Sequence, residues 1–341
     1  MNGHLLPRVL SDAARRDLRI LLIARHAQSD GSPDAGDGTH ATYHCEMRRT
    51  LEEIGVRLQV ADCYRTLFEQ PEVDFVFPLL NRGGFLNSEM LLPLLCERHA
   101  VPYLGASPIL RGLADDKHLT KLAARAHGLP TAPWTIYRRG APLDPAALPP
   151  AARHVVKPNA SSASWGVTDA CGWAEVREAV CTLQAAGHDA IVEPFIVGHD
   201  VEVSVITLHG KPLILPTQIV EQESAAALRS YDEKRDLSEQ QSYRIRALEQ
   251  GDVLTRVEAR ARNLMREFIP FDYGRFEFRL DVQTGEPLFM EVNLNCNLWS
   301  RKTIALAARQ IGWNHRALIE TILTEGLERH GLLANELHLA A

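Results

Sequence analysis

Gly274-Arg-Phe-Glu-Phe-Arg-Leu-Asp281, with Pro287-Leu-Phe-Met-Glu-Val-Asn293 close behind it, decides how this chain reads. Apolar and polar side chains alternate with period two in both pieces, which predicts two β-strands. In the first, Phe276, Phe278 and Leu280 fall on one face, and Arg275, Glu277 and Arg279 on the other. In the second, Leu288, Met290 and Val292 fall on one face, and Phe289, Glu291 and Asn293 on the other. Thr284-Gly285 lies between them and predicts a hairpin turn. The pairing brings Glu277, Glu291 and Asn293 to one surface beside Arg275. Two carboxylates and an amide oxygen form an all-oxygen donor set of the kind that takes Mg²⁺ together with nucleotide phosphates. The same pattern also describes a solvated hairpin face carrying an ion pair.

Outward from the hairpin, composition describes a soluble enzyme. The 341 residues exceed one compact core and suggest two or three units around a cleft. Apolar residues make up 45%, enough to fill such cores. With 37 basic and 43 acidic residues the net charge is −6, which argues against nucleic acid as a partner, because phosphate contacts need a concentrated basic surface. No apolar run approaches the roughly 20 residues that span a bilayer. Arg8, Asp12, Arg15, Arg16 and Asp17 precede the first apolar run, which argues against a signal peptide. Cys45, Cys63, Cys96, Cys171, Cys181 and Cys296 show no CxxC spacing and read as free thiols of a reducing cytoplasm.

Along the chain, Leu18–Ala24 reads as a buried parallel strand and Ser29–Gly38 as a loop. Tyr43–Gly55 reads as a helix, Val73–Pro78 as a strand, Ser88–His99 as a helix and Val101–Gly105 as a strand. That alternation predicts an open α/β domain as far as about Ala114. A helix follows over Asp116–His127, then a Pro- and Ala-rich surface connection over Arg138–Arg153. A small α/β lobe runs from His154 to Gly198, and a C-terminal domain closes with a long helix after Ser300. Glu221–Leu248 is polar, without strand periodicity, and reads as a lid.

Several separated blocks, in order from about Val73 to Trp313, resemble the ATP-grasp enzymes, and among them the D-alanine–D-alanine ligases. They are Asp116-Lys117 with Leu129-Pro130-Thr131; His154-Val-Val-Lys-Pro158 with Ser162-Ala-Ser-Trp-Gly166; Ile191-Val-Glu-Pro-Phe195 with Gly198-His-Asp200; the hairpin itself; and Ala307-Ala-Arg-Gln-Ile-Gly-Trp313. The resemblance implies an ATP-grasp α/β fold. An N-terminal Rossmann-like (pre-ATP-grasp) domain would occupy 1–115, a small central α/β lobe 116–199, and a C-terminal α+β domain 200–341. It implies an ATP-dependent carboxylate–amine ligase, in which a carboxylate attacks the γ-phosphate and an amine then displaces phosphate from the acyl-phosphate. ATP and Mg²⁺ are the implied cofactors, two ions with Mn²⁺ as a substitute. A cytoplasmic homodimer acting on small amino-acid-like substrates is the implied setting.

The site residues follow from the same blocks. Lys117 and Lys157 match the nucleotide-binding lysines, and Ser164 and Gly166 the phosphate-covering loop, which lacks a Walker pattern. Glu193, Phe195 and Ile196 match the adenine hinge. Asp200 matches the ribose carboxylate, with Glu202 a competitor on the same face. Lys234, in Tyr231-Asp-Glu-Lys234, resembles the lid's phosphate ligand, although Arg235 stands where the family has tyrosine. Arg275 matches the arginine at the transferring phosphate and oxyanion, and Glu277, Glu291 and Asn293 match the metal ligands, with Glu277 in place of an aspartate. Three departures fall where amino acids bind. No glycine-rich stretch with an amino-group-binding glutamate follows Ile23, leaving Glu46 as the substitute. Asn81-Arg-Gly-Gly84 lacks the nearby histidine, and Ala163 replaces a serine. After Asn293, Lys302 falls at the serine that binds the second carboxylate, with Asn297 and Arg301 nearby. These departures imply altered substrates, as in the biosynthesis of a specialised metabolite. A drifted cell-wall D-alanine–D-alanine ligase, an intramolecular cyclising ligase and a non-catalytic ATP-binding regulator are the alternatives.

Overall fold

The structure is a computed structural model and describes residues 5–34, 36–79, 88–161, 164–228 and 243–333. Asn81–Gly84, Ala163, and Tyr231–Arg235 with Lys234 lie outside the described residues. In chain order, α1 (Asp12–Asp17), β1 (Arg19–Ile23), α2 (His40–Ile54), β2 (Arg57–Ala61), β3 (Phe75–Pro78), α3 (Leu91–Arg98) and α4 (Pro108–Asp115) form the N-terminal part. Next come α5 (Lys117–Ala126), β4 (Thr135–Tyr137), β5 (His154–Pro158), β6 (Thr168–Ala170), α6 (Gly172–Ala185) and β7 (Ala190–Pro194). The remainder is β8 (Gly198–Leu208), β9 (Lys211–Ile214), β10 (Gln218–Gln222), β11 (Tyr243–Ala247), α7 (Asp252–Met265), β12 (Tyr273–Asp281), β13 (Pro287–Asn293), α8 (Thr303–Gln310) and α9 (His315–Arg329).

Three sheets result. The first is parallel, in the order β2-β1-β3, as the apolar run of β1 requires of a strand covered on both faces. The second is antiparallel, β4-β7-β5-β6, with Val176, Val180 and Leu183 of α6 packed on it. The third runs β11-β10-β8-β12-β13, with β9 beside β8. Because β8 begins at Gly198, the expected boundary after residue 199 falls inside a strand. The apolar face of the third sheet, with Phe276, Phe278 and Phe289, packs on α5 and α7. The first sheet packs through Phe75 and Phe77 onto α8 and α9, so the chain's last helices return to its N-terminal sheet.

Four local expectations are corrected. The second hairpin strand does not keep strict alternation. The register slips between Glu277 and Phe278, so that Glu277 opposes Glu291 while Phe278 opposes Phe289. The extra residue of this bulge is Met290, which sends Phe289 into the core with Val292 and turns Leu288 and Met290 to the cleft. Val101–Gly105 makes only one bridge, Val76 to Tyr103, because Pro102 offers no N–H to extend a ladder. The polar Glu221–Leu248 stretch contributes strand at both ends. Tyr243–Ala247 is an edge strand whose Arg246 pairs with Glu221 across the ladder at 2.7 Å, and charges on an edge hide its period. The long helix after Ser300 is two helices, broken where Gly312 takes φ +87° and Asn314 caps the next helix by accepting the Ala317 N–H. Strand β2 was not foreseen; it is a half-exposed edge with polar Arg57 and Gln59.

Candidate active site

One cleft lies between the second and third sheets, with three lysines on one wall and carboxylates on the other. Lys157 projects from the end of β5. Two residues on, Asn159 fixes the start of α5, its carbonyl accepting the Lys117 N–H at 3.0 Å and its side chain the His118 N–H at 2.9 Å. That arrangement places Lys117 beside Lys157. The Lys117 ammonium donates to the Ser161 carbonyl at 2.8 Å and meets Glu291 across the cleft at 3.1 Å. Ser164 and Gly166 take left-handed backbone, φ +61° and +68°, in the turn that follows, and Ser164 lines the cleft. A Cβ on Gly166 would press Pro158 and Leu183 at 3.0 Å, so a side chain there would push the turn off β5.

Glu193 is buried between Lys157 and a lysine the sequence reading passed over, Lys121. Burial pushes the Glu193 carboxyl up, but the two ammoniums outweigh it and hold it at about 2. Burial likewise pushes the Lys121 ammonium down against the pull of Glu193. For Lys157, burial opposes charge but Glu193, Glu291 and Asp200 together raise it. Lys121 also binds Thr131, whose hydroxyl donates to the Phe289 carbonyl at 2.8 Å, and lies 5.2 Å from the Trp134 ring centre. Its spacing of four from Lys117 puts both on one helix face, the signal that would have found it. Glu193 therefore serves as the anchor of two cleft lysines.

Across the cleft, the third sheet sets side chains in rows. Glu202, Glu277 and Glu291 are direct neighbours on β8, β12 and β13; Asp200 opposes Arg279, and Ser204, Arg275 and Asn293 form the next row. Arg275 donates to Glu277 Oε1 through Nε at 2.9 Å and Nη2 at 2.7 Å, meets Glu202 at 3.0 Å, and reaches the Thr303 hydroxyl at 3.2 Å. Burial opposes its charge, yet Glu202 and Glu277 raise its pKa further. Asn293 accepts the Asn295 N–H at 3.1 Å, which turns the chain out of the sheet. Among the described residues, no three His, Cys, Asp or Glu side chains close around a metal by themselves. Glu277, Glu291 and Asn293 still offer only oxygens, as Mg²⁺ requires when phosphates and water complete its shell.

The turn from Leu294 to Ser300 carries the remaining candidates. Glu46, on α2, accepts the Trp299 indole N–H at 2.9 Å, the Ser300 N–H at 3.1 Å and the Ser300 hydroxyl at 2.9 Å. It fastens this turn to α2, a role not foreseen when Glu46 stood in for an amino-group ligand. Asn297 accepts the Trp299 N–H at 2.8 Å, and Arg301 lies 5.9 Å from the Trp299 ring centre. Lys302 is the N-cap residue of α8, directly before Thr303. Phe195, Ile196, Asp200 and Arg279 also line the cleft.

With this geometry in place, the comparisons are specific. Residues 124–324 match the profile of the family described as D-ala D-ala ligase C-terminus. The D-alanine–D-alanine ligase of Bordetella petrii is 26% identical over 316 residues, 90% of either chain. An uncharacterised protein y4sG of Sinorhizobium fredii is 28% identical over 241 residues, 70% of either chain. Among solved structures, the Bacillus anthracis D-alanine–D-alanine ligase complexed with ATP superposes with TM-score 0.72 at 20% identity, covering 92% of this chain and 99% of that one. The VanG D-Ala:D-Ser ligase of Enterococcus faecalis reaches TM-score 0.68 at 16% identity, over 91% and 99%.

Proposed function

Because the chain belongs to the D-ala D-ala ligase C-terminus family of ATP-grasp enzymes, we propose that it joins two molecules of D-alanine, or of a close analogue, through an acyl-phosphate. It is an ATP-dependent carboxylate–amine ligase of the D-Ala–D-Ala ligase type. What carries the reading to these residues is the opposition of Lys117, Lys121 and Lys157 to Glu277 and Glu291 across one cleft. Lys157 and Lys117 receive the triphosphate as point charges held on a strand and a helix, with Lys121 buried behind them on Glu193. Glu277, Glu291 and Asn293 would hold Mg²⁺, which spreads the phosphate charge as the γ-phosphoryl leaves. Arg275, held by two glutamates and Thr303, is on this reading the cation that meets the oxyanion of the second step. Ser164 and Gly166 close the phosphate end by backbone N–H groups, and Phe195 and Ile196 the base end.

A second reading keeps the chemistry and changes the second substrate, as a specialised pathway would. Lys302 favours it, standing at the N-cap of α8 where the family's carboxylate-binding serine falls. The VanG relative, a D-Ala:D-Ser ligase, has the same fold. Phosphate release from ATP and Mg²⁺ with D-alanine alone, then with pairs of amino acids, separates the readings. D-alanine alone should suffice on the first; a second amino acid is required on the other. Lys302→Ala should raise KM for the second substrate and leave KM for ATP unchanged. Unchanged kinetics for every amino acid would return Lys302 to the solvated surface.

A further inference from the structure

Arg279 is the third polar residue on the inner face of β12, and neither the phosphate chemistry nor the metal uses it. Its guanidinium joins three chain segments. Nε donates to the Ile196 carbonyl at 3.1 Å, Nη1 to Asp200 Oδ1 at 2.8 Å, and Nη2 to the Ala225 carbonyl at 3.3 Å. The pair is largely buried, with side-chain exposures of 11% and 12%. Phe195 is stacked against a second arginine: Arg153 lies 3.8 Å from its ring centre and Arg279 5.9 Å. Arg153 donates in turn to the Ala226 carbonyl at 2.9 Å, next to the carbonyl that Arg279 holds. Phe195, Ile196, Asp200 and Arg279 all line the same cleft.

We propose that Arg279 is a specificity-determining positioning residue of the nucleotide site: it orients the Asp200 carboxylate toward the ribose hydroxyls and locks that carboxylate to the hinge at Ile196. The proposal rests on the reading of Asp200 as the ribose ligand. A partly buried ion pair adds little net stability, because desolvation offsets attraction. Its effect here is geometric. An aspartate side chain turns about two bonds, and a guanidinium planted on one oxygen fixes the direction of the other. A hydroxyl bond to a charged oxygen is directional and strong only when so aligned. The same guanidinium occupies the Ile196 carbonyl, so the hinge and the ribose carboxylate move as one unit.

Dissociation constants for ATP, 2′-deoxy-ATP and 3′-deoxy-ATP, measured calorimetrically on the intact enzyme, test this in wild type, Asp200→Asn, Arg279→Met and Arg279→Lys. Wild type should favour ATP over the weaker-binding deoxy analogue by roughly tenfold, the scale of one charge-assisted hydrogen bond. Arg279→Met should bring that ratio close to one while binding of the deoxy analogue changes little. Arg279→Lys should recover part of the ratio, since an ammonium reaches Asp200 without forking to Ile196. Thermal unfolding of each variant accompanies the titrations. If Arg279→Met keeps the wild-type ratio, and only weakens all three nucleotides equally or lowers Tm, Arg279 is a structural tie and the proposal fails. If wild type shows no ratio, or Asp200→Asn keeps it, the ribose reading fails and the proposal with it.

Discussion

Glu193 shows how much a single residue's role depends on what surrounds it. The sequence places it in a strand next to a hinge. The fold adds Lys121 and Lys157, and the carboxylate becomes the anion that keeps two lysines charged and aimed. Glu193→Gln removes the shared partner of two buried ammoniums, so urea unfolding should show a loss of about 3–5 kcal/mol. Its pKa is depressed from 4.5 to about 2, so its contribution is present above pH 4.5 and is lost as pH falls from 4.5 toward 2. At the opposite wall, Glu291→Gln should weaken Mg²⁺ binding and abolish turnover; full activity would remove Glu291 from the metal. Arg275→Met should lower kcat by roughly 10²-fold, the scale of one lost oxyanion donor, with ATP affinity little changed. An equal loss of ATP affinity at constant kcat would make Arg275 a ground-state ligand. Lysines and carboxylates on strands were legible because period two and motif spacing name their face. Lys121 was not, because a helical lysine is ordinarily solvated and only its tertiary partner gives it away.

The hairpin, as an element, was legible in its existence, its turn and its charged face. Gly285 takes φ +66° in the turn, and its N–H returns to the Asp281 carbonyl at 2.8 Å. The apolar face of its second strand was misassigned, because a bulge cannot be seen in a period, while Phe276, Phe278 and Leu280 of the first strand keep the face the period names. What selects it is the packing of Phe289 against Phe278 and the pairing of the Phe289 N–H with the Pro130 carbonyl at 2.8 Å. The turn after Asn293 was legible only as a departure from the family, since Glu46 lies far away in sequence. Glu46→Ala should free the Trp299 and Ser300 donors, destabilise the protein by about 1–3 kcal/mol, and raise KM for the second substrate while KM for ATP stays constant. Unchanged amino-acid kinetics would separate the turn from the substrate site.

At the scale of the whole molecule, the α/β order and the ATP-grasp fold were legible, because separated blocks in fixed order constrain topology more than any one does. The closing of the chain on itself was not. Helix α9 is buried all along Leu318–Leu327, and its Glu320 and Glu325 pair with Arg15 and Arg8 from the N-terminal segment, at 2.7 and 2.8 Å. Such long-range pairs leave no local signal. Helix α2 should also give a pH dependence through His44. Burial, with His40 and His26 adding to it against Asp37, lowers the His44 pKa from 6.5 to about 3. Between those values the unfolded chain takes up a proton that the folded chain refuses, so stability should fall as pH drops from 6.5 toward 3. Urea unfolding across that range should show a shallower slope for His44→Asn, by about one proton, and an unchanged slope would place the dependence elsewhere. The central claim is that this cleft activates a carboxylate with ATP and joins it to an amine. Incubation with ATP, Mg²⁺ and D-alanine, read by phosphate release and product mass, tests it most directly. The account predicts phosphate and ADP in step with a product weighing two substrates less one water. ATP binding at this cleft with no phosphate release for any amino acid, alone or in pairs, would contradict it.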